Sequence, residues 1–136
     1  MNVQRRLPDL KADEKTPPWK VGRYRLTLRV ADLDRSVTFY RDILRFWPVW
    51  RNATTVCLTQ DNLELLLDRK ERPKKPLQGI RIGFSVSRNK DLDIWAVYLE
   101  TRRVHISSAP KNTDCGRNLV FLDPDGYPIE VHWEST

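Results

Sequence analysis

Six polar residues recur at alternate positions of otherwise apolar segments, where strand geometry would direct their side chains away from the hydrophobic face. They are Arg25, Arg29, Glu64, Arg81, Glu130 and His132. An arginine guanidinium is planar and permanently charged, which suits it to carboxylate or phosphate groups. His132 lies two residues after Glu130, hence on the same strand face, and can act there as a general base near neutral pH. These residues predict a binding site for a small anionic organic molecule, with His132 as the catalytic candidate.

The same charges allow a structural interpretation. Two arginines and two glutamates inside a fold would form ion pairs, because buried charges are tolerated when they are matched. The pairs would form among Arg25, Glu64, Arg81 and Glu130. The two interpretations overlap, since an ion pair can open to admit an anionic ligand. A lone histidine such as His132 is also commonly a hydrogen-bonded lining residue rather than a base.

The elements that would hold these residues follow a βαβββ order in the first half of the chain. Leu26, Leu28 and Val30 alternate with polar residues, which is the periodicity of a strand with one apolar face. Residues 36–44 then carry apolar side chains at helical spacing. Three short β-type segments complete the unit, at residues 47–50, 54–58 and 63–67.

The second half of the chain repeats this order. Residues 80–86 match the alternation of residues 24–30, and a helix with Leu92 and Leu99 on one face follows. An internal repeat of this kind indicates two copies of one structural unit. Three further β-type segments and a tight turn complete the second copy, at residues 104–106, 118–122, 129–133 and, for the turn, 123–126.

The length of 136 residues and the 40% hydrophobic content suit one domain. We expect residues 1–21 to form a mobile arm, because they mix charge with prolines and lack periodicity. The domain would span residues 22–136. Its two modules, 22–68 and 79–134, would be joined by a charged, proline-interrupted linker at residues 69–78.

Three segments resemble a known family: residues 28–36, residues 39–44 with the sequence FYRDIL, and residues 121–130 with the sequence FLDPDGYPIE. Together they are similar to the glyoxalase/bleomycin resistance/dioxygenase superfamily, also called vicinal oxygen chelate. The resemblance implies an α+β fold in which two βαβββ modules form an open, curved mixed-sheet barrel around a ligand cavity. Such a scaffold serves lyases, dioxygenases, transferases and drug-binding proteins, so it leaves open whether this chain is an enzyme.

In that family, a metal-binding member usually has a histidine on the first strand of each module and a glutamate on the last. Glu64 and Glu130 occupy the glutamate places here, but Arg25 and Arg81 stand at the histidine places. A protonated guanidinium has no lone pair to offer a metal. We therefore expect a metal-independent protein without a cofactor. The alternative is a metal-dependent lyase or dioxygenase of the same superfamily with a displaced metal site, formed by the two glutamates and His132.

Composition limits the partners and the location. The net charge of +6 favours anionic partners, and it disfavours a drug-sequestering role toward cationic drugs, which the family also includes. Nucleic acid is disfavoured because the basic cluster at residues 70–75 has no interleaved aromatic residues. We expect a cytoplasmic protein with no membrane partner, since no apolar run could span a bilayer or serve as a signal peptide. Two chains could pair as a homodimer through exposed strand edges.

Overall fold

The computed structural model describes residues 22–70 and 79–135. The predicted mobile arm at residues 1–21 and most of the predicted linker, residues 71–78, lie outside the described residues. Neither of the two described helices is long and apolar enough to cross a membrane. The elements are β1 (Tyr24–Val30), α1 (Leu33–Asp42), β2 (Trp47–Arg51), β3 (Thr55–Gln60), β4 (Leu63–Arg69), β5 (Ile82–Ser85), α2 (Asn89–Thr101), β6 (Ile106–Asn112), β7 (Gly116–Leu122) and β8 (Pro128–Glu134).

The strands form two four-stranded sheets, in the orders β1-β4-β3-β2 and β5-β8-β7-β6. In each sheet the first and last strands of a module pair in parallel, and the remaining neighbours pair antiparallel. Because parallel strands need a crossover connection, α1 belongs to the first module and α2 to the second. The prediction of an α+β fold with two βαβββ modules in an open mixed-sheet arrangement is confirmed.

Helix α1 begins earlier than the periodicity predicted, because Asp32 caps it. The Asp32 carboxylate accepts the backbone N–H of Arg35 at 3.1 Å, which satisfies one of the free amides at the helix start. Leu33 and Tyr40 then lie on the buried face of the helix. The chain turns away soon after the helix, at Arg45, whose φ of 62° is left-handed.

A single hydrophobic core joins the two modules on the helix side of the sheets. Phe39 of α1 packs against Phe121 of β7, with ring centroids 6.4 Å apart. The hydroxyl of Tyr98 on α2 donates to the carbonyl of Ile43 at 2.8 Å. These contacts join the two modules on the helix side of the sheets. The opposite faces of the sheets are therefore the ones available to a ligand.

The turn at residues 123–126 also links the modules. The Tyr40 hydroxyl donates to Asp123 Oδ2 at 2.6 Å. Asp125 accepts the backbone N–H of Ala31 at 3.0 Å and the Ser36 hydroxyl at 3.2 Å. Both carboxylates are 5% exposed, and buried carboxylates need such partners. The second module is therefore locked onto the start of α1.

The predicted strand at residues 104–106 is wrong. β6 runs over Ile106–Asn112, and Val104 and His105 belong to the connection after α2. The register between β6 and β7 shifts twice, and Pro110 lies within the strand, so no regular alternation is visible in the sequence. An edge strand tolerates both features because one of its sides has no pairing partner.

Candidate functional site

Each sheet packs its helix against one face and leaves the other face open. Leu28 and Val30 of β1 lie in the core, whereas Arg25, Thr27 and Arg29 alternate to the other side and are exposed. The same alternation orients the second sheet. Its open face carries Arg81, Gly83, Ser85, Glu130 and His132.

On the first sheet, Arg25 pairs with Glu64. The two residues are neighbours across the parallel β1–β4 pair. Arg25 donates to Glu64 Oε2 from Nε at 3.0 Å and from Nη2 at 2.9 Å. Arg23 Nη1 lies 4.0 Å from Oε1 of the same carboxylate. Glu64 is therefore engaged by positive charge on both of its oxygens.

On the second sheet, Arg81 pairs with Glu130. Arg81 Nη1 donates to Glu130 Oε2 at 3.0 Å, and the amide of Asn118 donates to the same oxygen at 3.1 Å. His132 lies two residues further along β8, with Nδ1 3.9 Å from an oxygen of Glu134. The imidazole is therefore next to the Arg81–Glu130 pair on the same open face.

The six residues predicted for the site fall into two groups, one at each sheet. Arg25, Arg29 and Glu64 belong to the first sheet. Glu130 and His132 belong to the second sheet, and Arg81 directly precedes its strand β5. The paired arginines were expected to be buried, but the side chains of Arg25 and Arg81 are 57% and 51% exposed. An ion pair at that exposure stabilises a fold by about 1 kcal/mol or less. The pairs therefore act mainly on the local charge of each open face.

A cleft of about 390 Å³ lies between β1 and β5. We call it the inter-sheet cleft. Within residues 22–70 and 79–135, the charged residues in its lining are Arg29 and Arg81, and none of the described lining residues is acidic. The Tyr127 hydroxyl donates to the Arg29 carbonyl at 2.8 Å. Burial, together with the charge of nearby Asp123, raises the pKa of Tyr127. The hydroxyl therefore stays protonated and remains a donor. The remaining lining residues are Leu26, Thr27, Leu28, Ile80, Ile82 and Pro128.

Sequence alternation missed an apolar patch on β2. Trp47 is 73% exposed, Val49 54% and Trp50 46%. The register shifts between Pro48 and Trp50, so Trp47 lies opposite Thr59 and Trp50 lies opposite Cys57. Both tryptophans therefore point to the open face, where strict alternation would have put them on opposite faces. The proline within the segment is the signal for such an irregular edge strand.

Cys57 lies on the same open face but is not a nucleophile. It is 2% exposed, and burial raises the pKa of its thiol, with the charge of Glu64 adding to the effect. A thiol with a raised pKa stays protonated at neutral pH, and the thiolate is the reactive form. We therefore assign Cys57 to packing.

The chain is similar to known proteins along most of its length. A family model described as Glyoxalase/Bleomycin resistance protein/Dioxygenase superfamily matches residues 23–131. The metallothiol transferase FosB of Staphylococcus epidermidis is 30% identical over 107 residues, which are 76% of this chain and 75% of that protein. The glutathione transferase FosA of Serratia marcescens is 32% identical over 111 residues, which are 79% of this chain and 77% of that protein.

Solved structures share the fold. The lactoylglutathione lyase of Agrobacterium tumefaciens superposes with a TM-score of 0.69 at 19% identity, over 86% of this chain and 95% of that one. At this identity the likeness concerns the fold alone. It agrees with the two modules and the open faces described above.

The relatives correct one expectation, which is that no cofactor is needed. The name metallothiol transferase gives FosB a metal, so the prediction of a cofactor-free protein is wrong. The donors of this chain nevertheless do not fit a metal as they are arranged, because Glu64 is held by Arg25 and Glu130 by Arg81 and Asn118. Within residues 22–70 and 79–135, no three His, Cys, Asp or Glu side chains are grouped as metal ligands.

Proposed function

Because the chain belongs to the glyoxalase/bleomycin resistance protein/dioxygenase superfamily, we propose that it binds a small anionic organic molecule in the inter-sheet cleft. The observation that carries this proposal is the lining of the cleft: among the residues that the structure describes, two arginines and no acidic side chain surround about 390 Å³. Cavities of about 300–1,000 Å³ are typical of small-molecule sites. The ligand would therefore be a compact organic acid or phosphate ester.

Arg29 and Arg81 are the anion-binding groups in this proposal. Arg29 has no ion-pair partner in the described parts of the chain, whereas Arg81 gives Nη1 to Glu130 and keeps its other guanidinium nitrogens. A guanidinium can bind an oxyanion through two parallel N–H groups. The Thr27 hydroxyl adds another polar group, and the apolar lining residues would contact the organic part of the ligand.

A second candidate function is a metal-dependent reaction on such a molecule, which the name of the FosB relative favours. The donors that a displaced metal site would use are Glu64, Glu130 and His132. Both glutamates would first have to release their arginines. His132 remains the candidate general base if the ligand is turned over, since it lies on the open face beside Glu130.

The β2 patch supports a homodimer as the assembly. An edge strand that exposes two tryptophans and a valine is a surface that proteins usually cover. Pairing of two copies through β2 would bury Trp47, Val49 and Trp50 and would add a wall to the open face of the first sheet. We propose this assembly as the form that binds the ligand.

A thermal-shift screen of the full chain tests the ligand proposal. Small carboxylates and phosphate esters are added to wild type and to the Arg29→Gln/Arg81→Gln variant, with a chelator present. Stabilisation of wild type that is lost in the variant is the expected result, and no stabilisation by any anion would contradict the proposal. A parallel series without chelator adds divalent metals, and stabilisation there at a stoichiometric metal content would favour the second candidate.

A further inference from the structure

A second cavity lies on the helix side of the molecule, between the C-terminal ends of α1 and α2 and the turn at residues 123–126. Its volume is about 710 Å³. We call it the helix-end groove. None of its described lining residues also lines the inter-sheet cleft, so both cavities can be occupied at once. An inference about this groove is therefore independent of the proposed function.

The floor of the helix-end groove is apolar. Phe39 contributes from α1 and Ile43 from the position just after it. Val104 contributes from the connection after α2, and Leu122 and Pro124 from the end of β7 and the turn. All five are partly buried, so each offers some apolar surface to a molecule in the groove. Contact with such a floor favours a ligand with an apolar body.

The rim of the groove carries exposed cationic groups. Arg102 and Arg103 follow directly after α2, and both are exposed. The Arg102 guanidinium lies 4.9 Å from the ring centroid of Tyr98, which holds it in place. Arg103 has no ion-pair partner among the residues that the structure describes, and its φ of 57° points the chain sharply away from the helix. His105 lies beside them on the same rim.

The acidic residues of the groove are already committed to protein partners. Asp42 accepts a hydrogen bond from Arg41 Nε at 2.8 Å. Asp123 and Asp125 are each 5% exposed and bind Tyr40 and Ser36, respectively. Asp42 is the one partly exposed carboxylate among the described lining residues, with 48% of its side chain exposed. The exposed arginines of the rim, Arg102 and Arg103, therefore outnumber it.

We propose that the helix-end groove binds a small amphipathic organic anion. The anionic group would lie at Arg102 and Arg103, and the apolar body would lie on Phe39, Val104 and Leu122. Each charged hydrogen bond to the head group stabilises the complex appreciably, and burial of the apolar body adds to it. This site is separate from the arginines of the two open faces.

The probe for the test is anilinonaphthalene sulfonate, which joins an aromatic body to one anionic group and fluoresces when it enters an apolar site. It is titrated against the full chain as wild type, Arg103→Glu and Thr38→Trp. Arg103→Glu reverses the rim charge, and Thr38→Trp fills the groove from an exposed position of α1. Lys90→Glu, at the far end of α2, changes the net charge equally and serves as the matched control.

We expect Arg103→Glu and Thr38→Trp to weaken the binding of the probe about tenfold, while Lys90→Glu stays within about twofold of wild type. Octanoate should displace the probe from wild type. Equal affinity in Arg103→Glu, Thr38→Trp and Lys90→Glu would overturn the proposal. An Arg29→Glu variant separates the two sites: if it alone abolishes binding, the probe occupies the inter-sheet cleft and the groove proposal is wrong.

Discussion

Arg25 and Glu64 are neighbours across the parallel β1–β4 pair, and two nitrogens of Arg25 donate to one oxygen of Glu64. The pair lies on the same open face as Arg29, four residues away along β1, and neutralises part of the charge of that face. Glu64→Gln should therefore strengthen the binding of phenyl phosphate several-fold, because it removes a negative charge and frees Arg25. The stability of the fold should change by about 1 kcal/mol or less, since the pair is partly exposed.

Arg25→Gln provides the opposite change at the same pair. It leaves the Glu64 carboxylate without its main partner, so the affinity for phenyl phosphate should fall. Calorimetric titration measures both variants against wild type. If the two substitutions shift the affinity in the same direction, the local charge of the open face does not control anion binding.

Trp47 and Trp50 are expected to mediate pairing of two chains. Replacing both with lysine places like charges on the edge of β2, which proteins use to prevent edge-to-edge association. We expect a dimer of the wild-type protein to become a monomer, with an unchanged far-ultraviolet circular dichroism spectrum because both side chains are exposed. Light scattering coupled to size exclusion gives the mass. A monomeric wild type, or a dimer that survives the double substitution, would refute this assembly.

The hydrogen bond from Tyr40 to Asp123 should give a pH-dependent contribution to stability. Burial raises the pKa of Asp123, and the bond from Tyr40 lowers it part of the way back. A carboxyl with a raised folded pKa contributes stability that is complete below the unfolded pKa of 3.8 and is lost as the pH rises through the folded value. Tyr40→Phe raises the pKa of Asp123 in the folded protein further. The substitution should therefore lower the free energy of unfolding by about 1–3 kcal/mol at neutral pH and by less in acid.

Urea unfolding of wild type and Tyr40→Phe at several pH values measures this difference. The Asp123→Asn background is the control, because it lacks the titrating carboxyl. In the Asp123→Asn background, Tyr40→Phe should lower the free energy of unfolding by the same amount at every pH. If Tyr40→Phe instead destabilises the otherwise wild-type protein more as the pH falls, the hydrogen bond from Tyr40 does not lower the pKa of Asp123.

The backbone of Trp133 passes so close to position 116 that only glycine fits there. A Cβ added there would lie 1.8 Å from the carbonyl oxygen of Trp133 on the paired strand β8. Since neither backbone can move without breaking the ladder, Gly116→Ala should destabilise the fold by about 2 kcal/mol or more. Gly83→Ala is the matched control, because its Cβ would meet no atom of the described residues within 4 Å. It should change the free energy of unfolding by about 0.5 kcal/mol or less. Urea midpoints that do not differ between the two variants would rule out this explanation.

Sequence reasoning predicted the repeat and the orientation of β1, β4, β5 and β8, because in these strands the alternation of apolar and polar residues is regular. It failed where the pairing is irregular. The bulge in β2 turned Trp50 to the open face, and two register shifts hid β6. Pro48 and Pro110 are the only local signs of these features, and a proline marks an edge or a bulge without saying how the register shifts.

The facing of the charged side chains could be predicted from the sequence. Alternation correctly oriented Arg25, Arg81, Glu64 and Glu130, but alternation within a strand carries no information on how two sheets lie relative to each other. The grouping of these residues into two pairs, and the meeting of Arg29 with Arg81 in one cleft, therefore needed the structure. The cofactor prediction failed for a different reason: it rested on the residues at two positions, whereas the name of the FosB relative gives that protein a metal.

The most direct test of the central claim is the dissociation constant of phenyl phosphate, measured by calorimetry for wild type, Arg29→Gln, Arg81→Gln and Arg51→Gln. Arg51 pairs with Asp34 on the helix side, so its substitution removes the same charge away from the cleft. If Arg29 and Arg81 bind the anion, each of their substitutions raises the Kd about tenfold and Arg51→Gln leaves it within about twofold. Equal Kd values for all four proteins would contradict the inter-sheet cleft as the binding site.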